Sequence, residues 1–156
     1  MIRVLFVCLG NICRSPMAEA VLRSKVAQAG LSDQIEVDSA GIGDWHVGEP
    51  PHEGTREILL KQQISVDGMK ARQVKEADLS QFHYVIAMDA SNLGELHEMA
   101  GMNPSSSISR LMDYVSESEI EDVPDPYFEG NFEEVYQMVE EGCSKLLEHI
   151  RDEEGI

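Results

Sequence analysis

Two rhythms of hydrophobic residues run along the chain. Residues 2–7 are apolar apart from Arg3, and residues 84–88 (YVIAM) form a second continuous run. Such runs suit strands buried on both faces. Residues 35–39 read as a further strand and 107–114 as a fourth. Between them apolar positions recur at helical spacing. Ala18, Val21, Leu22, Val26 and Ala29 mark one helix that Gly30 stops, with Ser15 placed to cap it and Pro16 at its first helical position. Residues 55–62 and 91–99 give two shorter helices. Phe132, Val135, Val139, Cys143, Leu146 and Ile150 line one face of a long final helix, whose start is marked by Asn131 with Glu134 three residues on. Residues 41–54 and 122–130, with their glycines and prolines, are loops. Strands alternating with helices predict an α/β fold: one three-layer domain over residues 1–156, a parallel sheet with helices on both faces.

Composition narrows the function. The chain carries 29 acidic and 12 basic residues, a net charge of −17. Nucleic acids and anionic membranes both require basic surface, so neither is an expected partner. No segment approaches the roughly 20 apolar residues of a membrane span, and the N-terminal apolar run is too short for a signal-peptide core. Three cysteines, two of them close together, do not form a secreted disulfide framework. A reducing, cytoplasmic compartment is expected. His46, His52, His83, His97 and His149 show no metal-ligand spacing, so no metal or other cofactor is expected.

The chemistry concentrates in VCLGNICRSP, residues 7–16. Ligands of such folds bind beyond the carboxyl ends of the strands, and this turn follows the first strand. Gly10 and Asn11 tolerate left-handed backbone, so the loop can aim N–H groups inward, and the next helix adds its positive end. Arg14 can grip two phosphate oxygens with its fork. Cys8 at the floor of that cradle is favoured as thiolate, since comparable settings lower a cysteine pKa from ~8.5 to about 3.5–7.5. These are the parts for covalent phosphoryl transfer. Buried structural cysteines are the competing reading.

VCLGNICRSPMAEA resembles the signature of the low-molecular-weight protein tyrosine phosphatases. The likeness continues through VDSAGIG (37–43), ARQV (71–74), IAMDASN (86–92) and DPY (125–127), in the family's order. The resemblance implies a four-stranded parallel sheet with the phosphate loop after its first strand. It implies Cys8 as nucleophile, Arg14 as phosphate ligand and Asp125 as general acid, then base. Leu9, Gly10, Asn11, Ile12 and Cys13 would cradle the phosphate. Ser15 and Ser39 would join Asn11 in a supporting network, and Trp45 and Tyr127 would wall the slot for the substrate ring. Cys13 is the candidate redox partner of Cys8. Where a histidine often stands shortly before ARQV, this chain has Met69 and Lys70, so that side chain's supporting hydrogen bond is missing.

The expected function is a cysteine-dependent protein tyrosine phosphatase acting through a phosphocysteine on phosphotyrosine proteins or small aryl phosphates. Prolines on both sides of Asp125 stiffen its backbone. Glu121, Asp122 and Glu129 surround it in sequence, an arrangement that raises a carboxyl pKa. Two alternatives are weaker. Phosphoarginine phosphatases tend to carry threonine where this chain has Ile12. Arsenate-reductase-like oxidoreductases need further relay cysteines, and none lies between Arg14 and Gly142.

Overall fold

The computed structural model describes residues 1–101, 107–115 and 121–156. Four strands, β1 (Ile2–Cys8), β2 (Ile35–Gly41), β3 (Tyr84–Ala87) and β4 (Ser107–Arg110), form one sheet in the order β2-β1-β3-β4 with every neighbouring pair parallel. Among the described residues six helices accompany them: α1 (Arg14–Gln28), α2 (Glu53–Lys61), α3 (Asp78–Gln81), α4 (Ala90–Ala100), α5 (Pro126–Glu129) and α6 (Phe132–Glu154).

The alternation of β1 assigns its two faces. Val4, Phe6 and Cys8 point into a core shared with Met17, Leu22, Val139 and Leu146 of α1 and α6. Leu5 and Val7 point to the other side, against Leu79, Phe82 and Leu96. Val4 to Val7 are fully buried, which is why the run reads as apolar without alternation. The same period sets Cys8, the last residue of β1, on the face where α1 begins.

Each helix-and-strand expectation for a described segment finds its element, with shifted edges. The strand expected over 107–114 ends at Arg110, and a 3-10 turn, Leu111–Tyr114, follows. The loop expected over 122–130 contains α5, and α3 has no counterpart in the sequence reading. Ser15 does not cap α1. The helix starts two residues earlier than expected, Cys13 is its N-cap residue, and the Ser15 hydroxyl has other partners. Pro16 is therefore the third helical residue rather than the first; it is tolerated because N–H groups of the first turn have no intrahelical acceptor. Asn131 precedes α6 without a side-chain cap bond. The apolar face of α6 is buried as read from its spacing, with Phe132 only partly covered.

Candidate active site

Beyond the carboxyl end of β1 the chain turns back through residues 9–13 into α1. Asn11 lies in the left-handed region at φ 58°, a conformation that few non-glycine residues adopt. Its N–H donates to Cys8 Sγ at 3.3 Å, so the loop closes over the sulfur. Gly41, at the end of β2, makes room: a Cβ there would stand 3.0 Å from the Gly10 carbonyl carbon and 3.1 Å from Asn11.

Behind the loop lies a buried polar network. Asn11 Nδ2 donates to Ser15 Oγ at 2.8 Å and to Ser39 Oγ at 2.9 Å. Ser15 Oγ is 2.9 Å from Cys8 Sγ. A hydroxyl that accepts from an amide keeps its own hydrogen for another acceptor, so Ser15 can donate to the sulfur. Ser39 likewise donates to Glu19 Oε1 at 2.6 Å, and Glu19 pairs with Arg23. Burial pushes the Glu19 carboxyl up from its ordinary range, opposed by Ser39 and Arg23. Asn11 is expected both in the phosphate loop and in the network with Ser15 and Ser39; its side chain turns away from the cleft and into the network.

Arg14 is 97% buried at the start of α1, with 3% of its surface exposed. Its Nη1 donates to Asp89 Oδ2 at 2.6 Å and to the Val123 carbonyl at 3.0 Å. Nη2 lies 3.6 Å from Asp125 Oδ2, and Nε, also buried, has no hydrogen-bond partner among the described residues. Burial alone disfavours the charge. Cys8, Asp89 and Asp125 outweigh it and hold the guanidinium more firmly protonated than usual. Asp89 caps α4 through Oδ1, which accepts from the Asn92 N–H at 2.8 Å. That leaves Oδ2 to orient Arg14. In the sequence Asp89 lies inside IAMDASN without an assigned role; an acidic cap directly after a buried strand is the signal that marks it.

Asp125 caps α5, its Oδ1 accepting from the Tyr127 N–H at 3.1 Å. The acidic crowding read from its sequence neighbours is not what the fold makes. Asp122 is bonded to the Ala90 N–H and to Arg110, and Glu121 also faces Arg110. Arg14 is the charged partner of Asp125.

These groups open onto a cleft of about 260 Å³ lined by Cys8, Leu9, Gly10, Ile12, Cys13, Arg14, Trp45, Asp125 and Tyr127. Every cleft residue named from the sequence is there except Asn11. His46, which the sequence reading considered only as a metal ligand, lines it too. The His46 ring packs onto Gly10, its Cδ2 3.1 Å from where a Cβ would stand, and Nδ1 meets Glu49 at 2.6 Å. Trp45 lies over Gly43, whose missing side chain leaves room for the indole. Trp45 is 65% and Tyr127 43% exposed, so both present aromatic surface at the rim. A buried sulfur, an arginine with an unused N–H and a half-buried carboxylate facing one aromatic-walled cleft are suited to binding an anion and transferring it to sulfur.

Family comparison agrees with this geometry. Residues 3–155 match the model of the low molecular weight phosphotyrosine protein phosphatases. The chain is 61% identical over 156 residues to the low molecular weight protein-tyrosine-phosphatase YfkJ of Bacillus subtilis, covering all of both chains. It superposes on the crystal structure of YfkJ with a TM-score of 0.96, covering 98% of this chain and 96% of that one. The phosphatase PtpA of Staphylococcus epidermidis is 47% identical over 150 residues, 96% of this chain and 94% of its own. A Drosophila arginine phosphatase, 38% identical, superposes with a TM-score of 0.89 over 95% of this chain and 97% of its own. The chain belongs to the low molecular weight phosphotyrosine protein phosphatase family.

Cys13 is buried, reduced and in the same cleft as Cys8. Burial first, then the charges of Cys8 and Asp125, push its thiol up to about 12. It is poorly suited to attack phosphorus, but a sulfenic acid formed on Cys8 can condense with a neighbouring thiol. Mild peroxide should therefore yield a reversible Cys8–Cys13 disulfide and spare Cys8 from sulfinic oxidation. Mass analysis checks this: sulfinic Cys8 beside reduced Cys13 would contradict it.

Proposed function

We propose that the enzyme hydrolyses phosphotyrosine monoesters in two steps through a phosphocysteine on Cys8. The observation that carries this reading is the convergence of Cys8, Arg14 and Asp125 on one cleft. In the first step the Cys8 thiolate attacks phosphorus. The bond to the tyrosyl oxygen breaks, and the Asp125 proton goes to that leaving oxygen. In the second, Asp125 takes a proton from water as its oxygen attacks phosphorus, and the S–P bond breaks to release phosphate and the thiolate. The Ser15 hydroxyl stabilises the sulfur's negative charge before attack and after release. Arg14 brings Nε and Nη2 to the phosphoryl oxygens in both transition states, while Asp89 and Val123 hold Nη1. A bound phosphoryl group would replace Asp125 as the partner of Nη2, which frees that carboxyl for its acid role.

Selection of substrate falls to the walls, because a cradle of backbone amides and one arginine does not distinguish phosphomonoesters. A tyrosine ring carries phosphorus farther from its backbone than serine does, and Trp45 and Tyr127 offer it flat faces. Ile12, 7% exposed, lines the cleft with an apolar branch. It gives no hydrogen bond to a guanidinium, which favours a phenyl ring over phosphoarginine. An oxidoreductase relay has no support in the position of Cys143: it is fully buried in α6, its thiol directed at the Ala18 carbonyl at 3.7 Å. The three free cysteines fit a reducing cytoplasm. Among the described residues, no helix is long and apolar enough to cross a membrane.

Turnover of phosphotyrosine, phosphoserine and phosphoarginine peptides, measured side by side, tests the reading. Phosphotyrosine should be clearly preferred, and Ile12→Thr should shift the ratio toward phosphoarginine by removing apolar contact and supplying a hydroxyl. A wild-type preference for phosphoarginine, or a ratio unmoved by Ile12→Thr, would overturn this account of specificity.

A further inference from the structure

The segment ARQV, residues 71–74, takes no part in the chemistry above, yet it is tied into the fold on several sides. The Gly41 N–H donates to the Arg72 carbonyl at 2.8 Å and the Val74 N–H to the Gly41 carbonyl at 2.8 Å, so the segment runs as a one-bridge extension of the sheet beside β2. The Arg72 guanidinium is held between carboxylates from two elements. Nε and Nη2 reach Asp38 Oδ2 of β2 at 3.2 and 3.1 Å, while Nη1 and Nη2 reach Oδ2 and Oδ1 of Asp78, in α3, at 3.0 and 3.3 Å. The Asp78 side chain is 8% exposed, and its Oδ2 also accepts from the Lys75 N–H at 2.7 Å. A planar fork makes all four contacts from three nitrogens at once; an ammonium group, with three donors on one atom, cannot reproduce them.

The main-chain N–H of Arg72 donates to Asn11 Oδ1 at 3.0 Å. An amide oxygen only accepts, so this contact fixes which way the Asn11 amide faces and aims its hydrogens at Ser15 and Ser39. Asn11 also sits in left-handed backbone, which persists only when its surroundings hold it there. The chain of contacts therefore runs from the clamp, through one N–H, to the hydroxyl beside the nucleophilic sulfur.

We propose that Arg72 is a positioning residue: clamped between Asp38 and Asp78, it fixes its own N–H against Asn11 and thereby sets the hydrogen bond of Ser15 to Cys8. The inference rests on the phosphatase reading of the Cys8 loop. Arg72 touches neither the sulfur nor the cleft.

Three variants test it. Arg72→Met keeps a long stem and removes both ion pairs. Arg72→Lys keeps the charge without the fork. Asp38→Asn weakens one arm of the clamp at a partly exposed carboxylate and serves if Arg72→Met fails to fold. Each is compared with wild type by thermal unfolding, by kcat and KM for an aryl phosphate, and by the pH at which Cys8 becomes half-reactive toward iodoacetamide. Loss of one hydrogen bond to a charged sulfur corresponds to about one pH unit and about tenfold in rate. Arg72→Met should raise the half-reactivity pH by about that unit and lower kcat about tenfold, with a smaller change in KM. Arg72→Lys should fall between Arg72→Met and wild type, and Asp38→Asn should move the same way by less. Variants that unfold at lower temperature but keep the wild-type half-reactivity pH and kcat would reduce Arg72 to a structural strut and overturn the proposal. Alkylation reads the sulfur without turnover. A wild type inactive on aryl phosphates would therefore count against the phosphatase reading, while a shifted half-reactivity pH would still support the coupling.

Discussion

Replacing Cys8 with serine should abolish turnover while phosphate and vanadate still bind. The anion is held by the loop amides and by Arg14, whose buried Nε has no other partner among the described residues, and a serine oxygen can still accept the Asn11 N–H that the sulfur accepts. The attack depends on the sulfur. A serine hydroxyl at this position has no general base beside it: Ser15 is a hydroxyl and Asn11 donates an N–H, so neither can take its proton. Turnover by Cys8→Ser should fall to background, with vanadate affinity close to wild type by calorimetry. Appreciable residual hydrolysis would rule out covalent catalysis by Cys8. Loss of anion binding would instead show that the sulfur holds the loop in shape.

The second large effect belongs to Asp125→Asn. Protonation of the leaving oxygen matters most when that oxygen is basic, and a positioned acid contributes about 10²–10⁴-fold. The variant should lose rate in that range on alkyl and unactivated aryl phosphates, and far less on p-nitrophenyl phosphate, whose leaving group departs unprotonated. A leaving-group series measured in both enzymes gives the answer: a steeper dependence in Asp125→Asn supports the acid role, and parallel lines remove it. The fold itself should survive, because asparagine can replace aspartate as the cap of α5.

The core and the cleft were legible in the sequence to different depths. Val4 to Val7 betrayed a buried strand because both faces of β1 are covered, and the apolar spacing of α6 located the helix that covers one of them. The cleft residues were legible because they share one loop or a short, unusual motif. Partners far apart in sequence were harder. Asp89 reaches the site from beyond β3 and the Asp38–Arg72–Asp78 clamp acts on it through one N–H, and the sequence shows each only as one more charge on an acidic chain. His46 resembled any loop histidine until Gly10 was seen to leave room for its ring. The cap expected of Ser15 fails for a physical reason: a serine before a proline is a good helix cap, but here its hydroxyl is engaged by the sulfur and by the Asn11 amide, in the network that the family resemblance implies for it. The histidine absent before ARQV takes nothing from Asn11, whose oxygen is satisfied by a backbone N–H that every residue but proline can supply.

The central claim is that the phosphoryl group passes through Cys8. It is tested most directly by mixing Asp125→Asn with ³²P-labelled p-nitrophenyl phosphate, quenching within milliseconds and mapping the labelled peptide. This substrate needs little acid help to phosphorylate the enzyme, whereas the missing base slows hydrolysis, so the intermediate should accumulate. The label should rise with the release of p-nitrophenolate, approach about one phosphoryl group per chain and reside on the Cys8 sulfur. Turnover without protein-bound label, or label on any residue other than Cys8, would contradict the account.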